Sequence, residues 1–119
     1  MAGSGERGFE VHEDQGVTIV RLKMAQIDMF NVTELIEDLG ELTARQTPAI
    51  VLDMGETNFI DSSGMGGLIR IHQQVKAYDG IFLITGLNPK VANLMRLTRS
   101  TRYLNCYDDL DTALAAARR

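Results

Sequence analysis

The chain has 119 residues, 45% hydrophobic and 24% charged, with 12 basic against 16 acidic side chains, a formal charge of −4 and a pI of about 5.1. That length is one domain, able to bury a core without disulfides or metals, and the lone cysteine, Cys106, fits a reducing cytoplasm. No basic run interleaved with aromatics invites nucleic acid, no apolar run approaches the roughly 20 residues that span a bilayer, and no signal-peptide core opens the chain.

Met1 to Gly8 holds three glycines and no hydrophobic periodicity, and is expected to be a flexible tail, leaving 9–119 as the folded domain. Phe9-Glu10-Val11-His12 alternates like an edge strand, and the β-branched run Val17 to Leu22 predicts a second, joined through the turn residues Glu13 to Gly16. Asn31 with Glu34 resembles a capping box, ahead of a helical stripe of Val32, Leu35, Ile36, Leu39 and Leu42. Ala49 to Leu52 is apolar at every position, as a central strand of a parallel sheet would be. A second helix follows, with Leu68, Ile71, Val75 and Tyr78 on its core face and Gly80 as its C-terminal cap. Ile81 to Ile84 is another buried strand, and Asn88-Pro89 opens a third helix with Val91, Leu94, Met95 and Leu97 as apolar positions. Tyr103 to Tyr107 is a short last strand. Asp108 is expected to cap a terminal helix ending in Arg118 and Arg119, where cations suit the dipole. The alternation predicts an α/β fold: a mixed, mostly parallel sheet of about five strands with about four helices.

Asn58 to Gly66 (Asn-Phe-Ile-Asp-Ser-Ser-Gly-Met-Gly) joins a strand to a helix start. Asp61 is a good N-cap, since its carboxylate can accept bonds from the free amides of the first turn. Ser62 and Ser63 occupy that turn, where the dipole favours negative charge. Gly64, Gly66 and Gly67 replace better helix formers, so something is expected to approach this backbone closely. At about 100° per residue, Ser62, Met65, Gly66, Ile69, Gln73 and Lys76 fall opposite the core face. Met65 and Ile69 are therefore expected to be at least half exposed beside Ser62, as an apolar anchor for a partner; the alternative is a helix covered on both sides.

Asn58 to Gly66 resembles the signature of the STAS domain found in bacterial anti-sigma factor antagonists. Asp53 at the end of a hydrophobic strand, the Ile81-to-Leu87 strand followed by Asn88-Pro89-Lys90-Val91, and the run from Leu94 to Asp108-Asp109-Leu110 are similar too. The resemblance spans about Phe9 to Ala117. It implies a cytoplasmic phosphoprotein of transcription regulation that works by partner switching and needs no cofactor. The first serine of Asp-Ser-Ser-Gly, here Ser62, would be phosphorylated by an anti-sigma factor that is also a serine kinase. The unmodified protein would bind that kinase and release a sigma factor, and a serine phosphatase would reset it. Asp28, Asp61, Ser63, Gly64, Met65, Gly66 and Ile69 are the expected partner-facing residues. Ala25-Gln26-Ile27-Asp28 departs from the family's glycine-containing loop while keeping its acidic position, and Gly67 stands where an aliphatic residue is usual, which should loosen the first helical turn.

Rival readings have less in the residues. A serine hydrolase needs a base, and His12 and His72 are the only histidines, with no Gly-x-Ser-x-Gly elbow. Asp53 and Thr85 end two successive strands as in a phospho-aspartate receiver, which also needs a Mg²⁺ site at the end of the first strand; that strand ends in Val11-His12-Glu13-Asp14 and no lysine follows the last strand at Tyr107, so Asp53 is expected to cap a loop amide. A scaffold or small-ligand module of the same fold, never phosphorylated, stays open. Cys106 and the methionines other than Met65 are expected to fill the core.

Overall fold

A computed structural model of the chain describes residues 8–118. Residues 1–7 of the expected tail, and Arg119, lie outside the described residues. Gly8, counted with the tail, already belongs to the fold, since its carbonyl accepts the Lys23 amide (2.7 Å).

The strands are β1 (Phe9–Asp14), β2 (Val17–Leu22), β3 (Gln26–Ile27), β4 (Ala49–Asp53), β5 (Phe59–Ile60), β6 (Ile81–Thr85) and β7 (Asn105–Tyr107); the helices are α1 (Val32–Ala44), α2 (Ser62–Lys76), α3 (Pro89–Leu97) and α4 (Leu110–Ala117). The main sheet runs β1-β2-β4-β6-β7, with β1 antiparallel to β2 and every other pair parallel. The mixed sheet and four helices match the sequence expectation. The hairpin turns on Gln15 and Gly16, both at positive φ (51° and 86°), the backbone of a two-residue turn that matches strand twist.

β4 is central and buried on both faces. Ile50 and Leu52 face a large core with α1, α2 and α3, while Ala49 and Val51 face a smaller one closed by Ala113, Leu114 and Ala117 of α4. This two-sided burial is why β4 reads as an unbroken apolar run. β3 and β5 are too short to read from periodicity, yet they pair in parallel and carry the chain to α2. The Asn58 amide donates to Ala25 O (2.7 Å) and the Asp61 amide to Ile27 O (3.1 Å), continuing that pairing at both ends.

Four local expectations are corrected. Asn31 does not cap α1 with its side chain: Oδ1 accepts the Asp28 amide (2.9 Å) and Nδ2 donates to Gln26 O (2.8 Å), tying the preceding loop instead. α2 ends before Gly80, and the left-handed residue after it is Asp79 (φ 63°). Gly80 is buried, and a Cβ there would lie 2.7 Å from both the Val75 and Tyr78 side chains, so packing calls for glycine. Asp109, not Asp108, caps α4, accepting from the Thr112 amide and hydroxyl (both 2.8 Å), bonds that lower its pKa. Leu97 is 71% exposed rather than core. Asn88 does cap α3, accepting the Val91 amide (2.9 Å) with Pro89 next.

Candidate functional site

The start of α2 is held by Asp61, whose two carboxylate oxygens do separate work. Oδ1 accepts the Gly64 amide (2.8 Å) and so caps the helix; Oδ2 accepts the Met29 amide (3.1 Å) of the loop entering α1. One side chain thereby fixes two segments 32 residues apart in sequence. Ser62 and Ser63 are exposed, and among the described residues neither hydroxyl is drawn into a hydrogen bond.

The glycines divide into two kinds. A Cβ on Gly64 would sit 2.5 Å from Ile27 O and 2.8 Å from Ile60, so the helix start is pressed against β3 and β5. A Cβ on Gly67 would collide with Val32 of α1. The close approach expected at this backbone is therefore made by the protein itself, and Gly67 lets α1 and α2 meet rather than loosening the turn. Gly66 alone is exposed, with nothing within 4 Å of its added Cβ.

Met65 corrects the face expectation, being buried with 6% exposure, and Ile69 is half-buried against the main core. The cause is a second cover on α2: β5 and α3 bring Phe59, Ile60, Leu94 and Thr98 around Met65, leaving an almost wholly apolar cleft of about 240 Å³ that reaches Asp61 and Ser62. Asp28 also turns inward. It is 8% exposed, its Oδ1 accepting the Phe30 amide (2.9 Å) and its Oδ2 the Gln26 side-chain amide (2.8 Å). It shapes the loop from inside.

That loop presents what sequence reasoning missed. Phe30 is 87% exposed and Met29 64%, and Phe59 on β5 adds a third exposed apolar group. Met29, bonded through its amide to Asp61, and Phe59, lining the cleft that reaches Ser62, thus bring exposed apolar surface to the serines, with Phe30 next to Met29 in the chain. The available signal was two adjacent apolar residues after an Asx-type turn residue, Asp28-Met29-Phe30, placed before the apolar stripe of α1 begins at Val32.

The rival sites resolve structurally. Asp53 Oδ1 accepts the Gly55 amide (2.9 Å) and its Oδ2 lies 3.7 Å from Arg21 Nε, the loop-capping role expected. Among the described residues no three His, Cys, Asp or Glu side chains could hold a metal ion. His72 packs beside Phe82 (ring centroids 6.2 Å), its Nδ1 buried and unpartnered; burial, then Lys76, pushes its pKa down. Cys106 is half-buried with its thiol 3.9 Å from Met95 sulfur, and burial pushes its pKa up. No helix among the described residues is long and apolar enough to cross a membrane.

Comparison with known proteins agrees with this geometry. An anti-sigma F factor antagonist from Paenibacillus polymyxa is 27% identical over 107 residues, covering 89% of this chain and 91% of that one. The crystal structure of an anti-sigma factor antagonist from Mycobacterium paratuberculosis has a TM-score of 0.83 and 27% identity over 93% of each chain. The Bacillus cell fate determinant SpoIIAA in its phosphorylated form shares the fold, with a TM-score of 0.67 at 15% identity, covering 93% of this chain and 99% of that one. The model of the STAS domain matches residues 8–113, and the chain belongs to that family.

Proposed function

We propose that this chain is an anti-sigma factor antagonist controlled by phosphorylation of Ser62, without catalysis of its own. Unmodified, it binds an anti-sigma factor with serine kinase activity and so frees a sigma factor; phosphate on Ser62 ends that binding, and a serine phosphatase restores it. The observation that carries the reading is an exposed Ser62 hydroxyl at the first residue of α2, beside a capping carboxylate already occupied by two amides. A solvated serine at a helix start is the plainer account of Ser62 alone. The exposed Met29 and Phe30 of the loop tied to Asp61, and Phe59 of β5, favour a docking face. The antagonists among its relatives support the role, and a protein of this fold known in phosphorylated form supports the chemistry.

Within this reading Ser62, Ser63, Gly66, Asp61 and the exposed part of Ile69 meet the partner. Asp28, Gly64 and Met65 hold the face from beneath. Phosphate at a helix N-terminus is locally tolerated, so modification leaves the fold standing while adding about −1.5 to −2 charges to the face. A doubly charged phosphate about 6 Å from a partner carboxylate, at an effective dielectric near 40, costs roughly 3 kcal/mol, on the order of a hundredfold in affinity.

The test is intact-mass spectrometry of the chain with ATP and the serine kinases of its own organism, beside Ser62→Ala and Ser63→Ala. The expected result is one added phosphate that disappears in Ser62→Ala alone. No phosphate with any kinase would overturn the switch and leave an unmodified scaffold or ligand-binding module.

A further inference from the structure

β7 is the last strand of the main sheet, bonded to β6 on one side and, among the described residues, to no strand on the other. Beside it a cavity of about 280 Å³ opens between α3 and β7, with Leu87, Ala92 and Met95 as apolar wall and Arg96 and Asp108 as charged lining. A second, more open hollow runs along β7 itself, from Thr101 to Tyr107.

The segment that leads into this edge concentrates positive charge. Residues 89–103 contain Lys90, Arg96, Arg99 and Arg102 and no acid, in a chain of net charge −4. All four are exposed and none forms an ion pair among the described residues, whereas Arg21, Lys23 and Arg118 each do. The dipole of α3 accounts for cations in its last turn. It does not account for Arg102 beyond it, nor for an arginine at 99 in the left-handed region (φ 59°), where glycine fits without strain.

We infer that the β7 edge is a docking site for an extended, acidic segment of another protein. The segment adds a strand beside β7, seats an apolar side chain in the α3–β7 cavity and sets its carboxylates against Arg99 and Arg102. Strand addition draws affinity from main-chain hydrogen bonds and specificity from side-chain pockets. β7 has only three residues, so the cavity and the arginines must supply much of the binding. Their order also sets the segment's polarity. Arg99 and Arg102 precede β7 and Asp108 follows it, so the segment is acidic at the end beside the start of β7 and carries no acid at the other. An anionic lipid surface would use the same arginines with the exposed Leu97 and Tyr103, but it would leave the free edge and the cavity unused.

The test pans a random phage-displayed heptapeptide library against the full chain and measures hydrogen exchange with the best peptide. Enrichment of acidic peptides with an apolar residue is expected, with exchange at Asn105 to Tyr107 slowed at least tenfold. The double variant Arg99→Glu/Arg102→Glu should bind at least tenfold more weakly while keeping its thermal midpoint and its phosphorylation at Ser62, which separates this site from the Ser62 reading. No enrichment, selection of neutral or basic peptides, or protection confined to the cleft beside Ser62 would overturn it. So would binding of the chain to phosphatidylglycerol vesicles with no peptide selected.

Discussion

Asp53 and Asp61 each follow or end a short parallel strand, and each accepts the amide of a nearby glycine, Gly55 or Gly64. Their second oxygens differ. Asp53 faces Arg21 of the neighbouring strand, so its charge is neutralised within the sheet, and the segment after it is a turn. Asp61 reaches the Met29 amide, and the segment after it is a fifteen-residue helix whose first two side chains are exposed serines. The same carboxylate chemistry closes a loop in one place and presents a face in the other. The difference lies in the element each starts and the segment each ties.

The two aspartates differ most in the glycines they bond. Gly64→Ala drives a methyl group into Ile27 O and should lower stability by roughly 3 kcal/mol, because a strand carbonyl cannot step aside. Gly55→Ala meets Asp53 Oδ1 at 3.2 Å and Gly86 O at an ordinary 4.0 Å, and should stay within about 1 kcal/mol; urea denaturation of both variants reads the difference. If Gly64→Ala were as mild as Gly55→Ala, the packed helix start would be wrong.

At the carboxylates the gap is smaller. Asp61→Ala loses the cap and the Met29 tie together, about 2 kcal/mol, and should also slow phosphorylation of Ser62. Asp53→Ala should cost about 1 kcal/mol and leave phosphorylation unchanged. Asp61→Asn, which keeps an oxygen acceptor, should recover part of the loss.

Within the presented face, Phe30→Asp should weaken kinase binding at least tenfold while stability stays within about 0.5 kcal/mol, since the side chain touches solvent. Ile69→Asp should weaken binding too, but now with a measurable loss of stability, because Ile69 is half-buried. Gly66→Ala, open on every side, should stabilise the domain by about 0.5–1 kcal/mol.

The smallest effect is with pH. Burial holds His72 below its ordinary 6.5 in the folded state, so the unfolded chain takes up the proton first. Stability from this group is full above pH 6.5 and falls as pH drops through 6.5 toward the folded pKa. Urea midpoints between pH 7.5 and 5.5 should decline, and His72→Gln should flatten the decline.

Much of this was legible in the residues. The central β4, the Asp61 and Asn88 caps, the loop-capping Asp53 and the order of strands and helices follow from local chemistry and from periodicity within one segment. One-residue errors, such as Asp108 for Asp109, arise where two candidate caps stand side by side and only backbone conformation chooses between them.

An α/β domain of the STAS type with a serine at a capped helix start can be read from the residues, because caps, strand runs and a contiguous signature are all short-range features. Which residues that helix start displays depends on packing between distant segments. Met65 disappears beneath β5 and α3, Asp28 turns inward to hold its own loop, Gly64 and Gly67 serve internal packing, and Met29, Phe30 and Phe59 come forward. Periodicity can name the face a helix turns to the sheet. It cannot name a second cover brought in by a separate strand and helix, since only their meeting in space removes that surface from water.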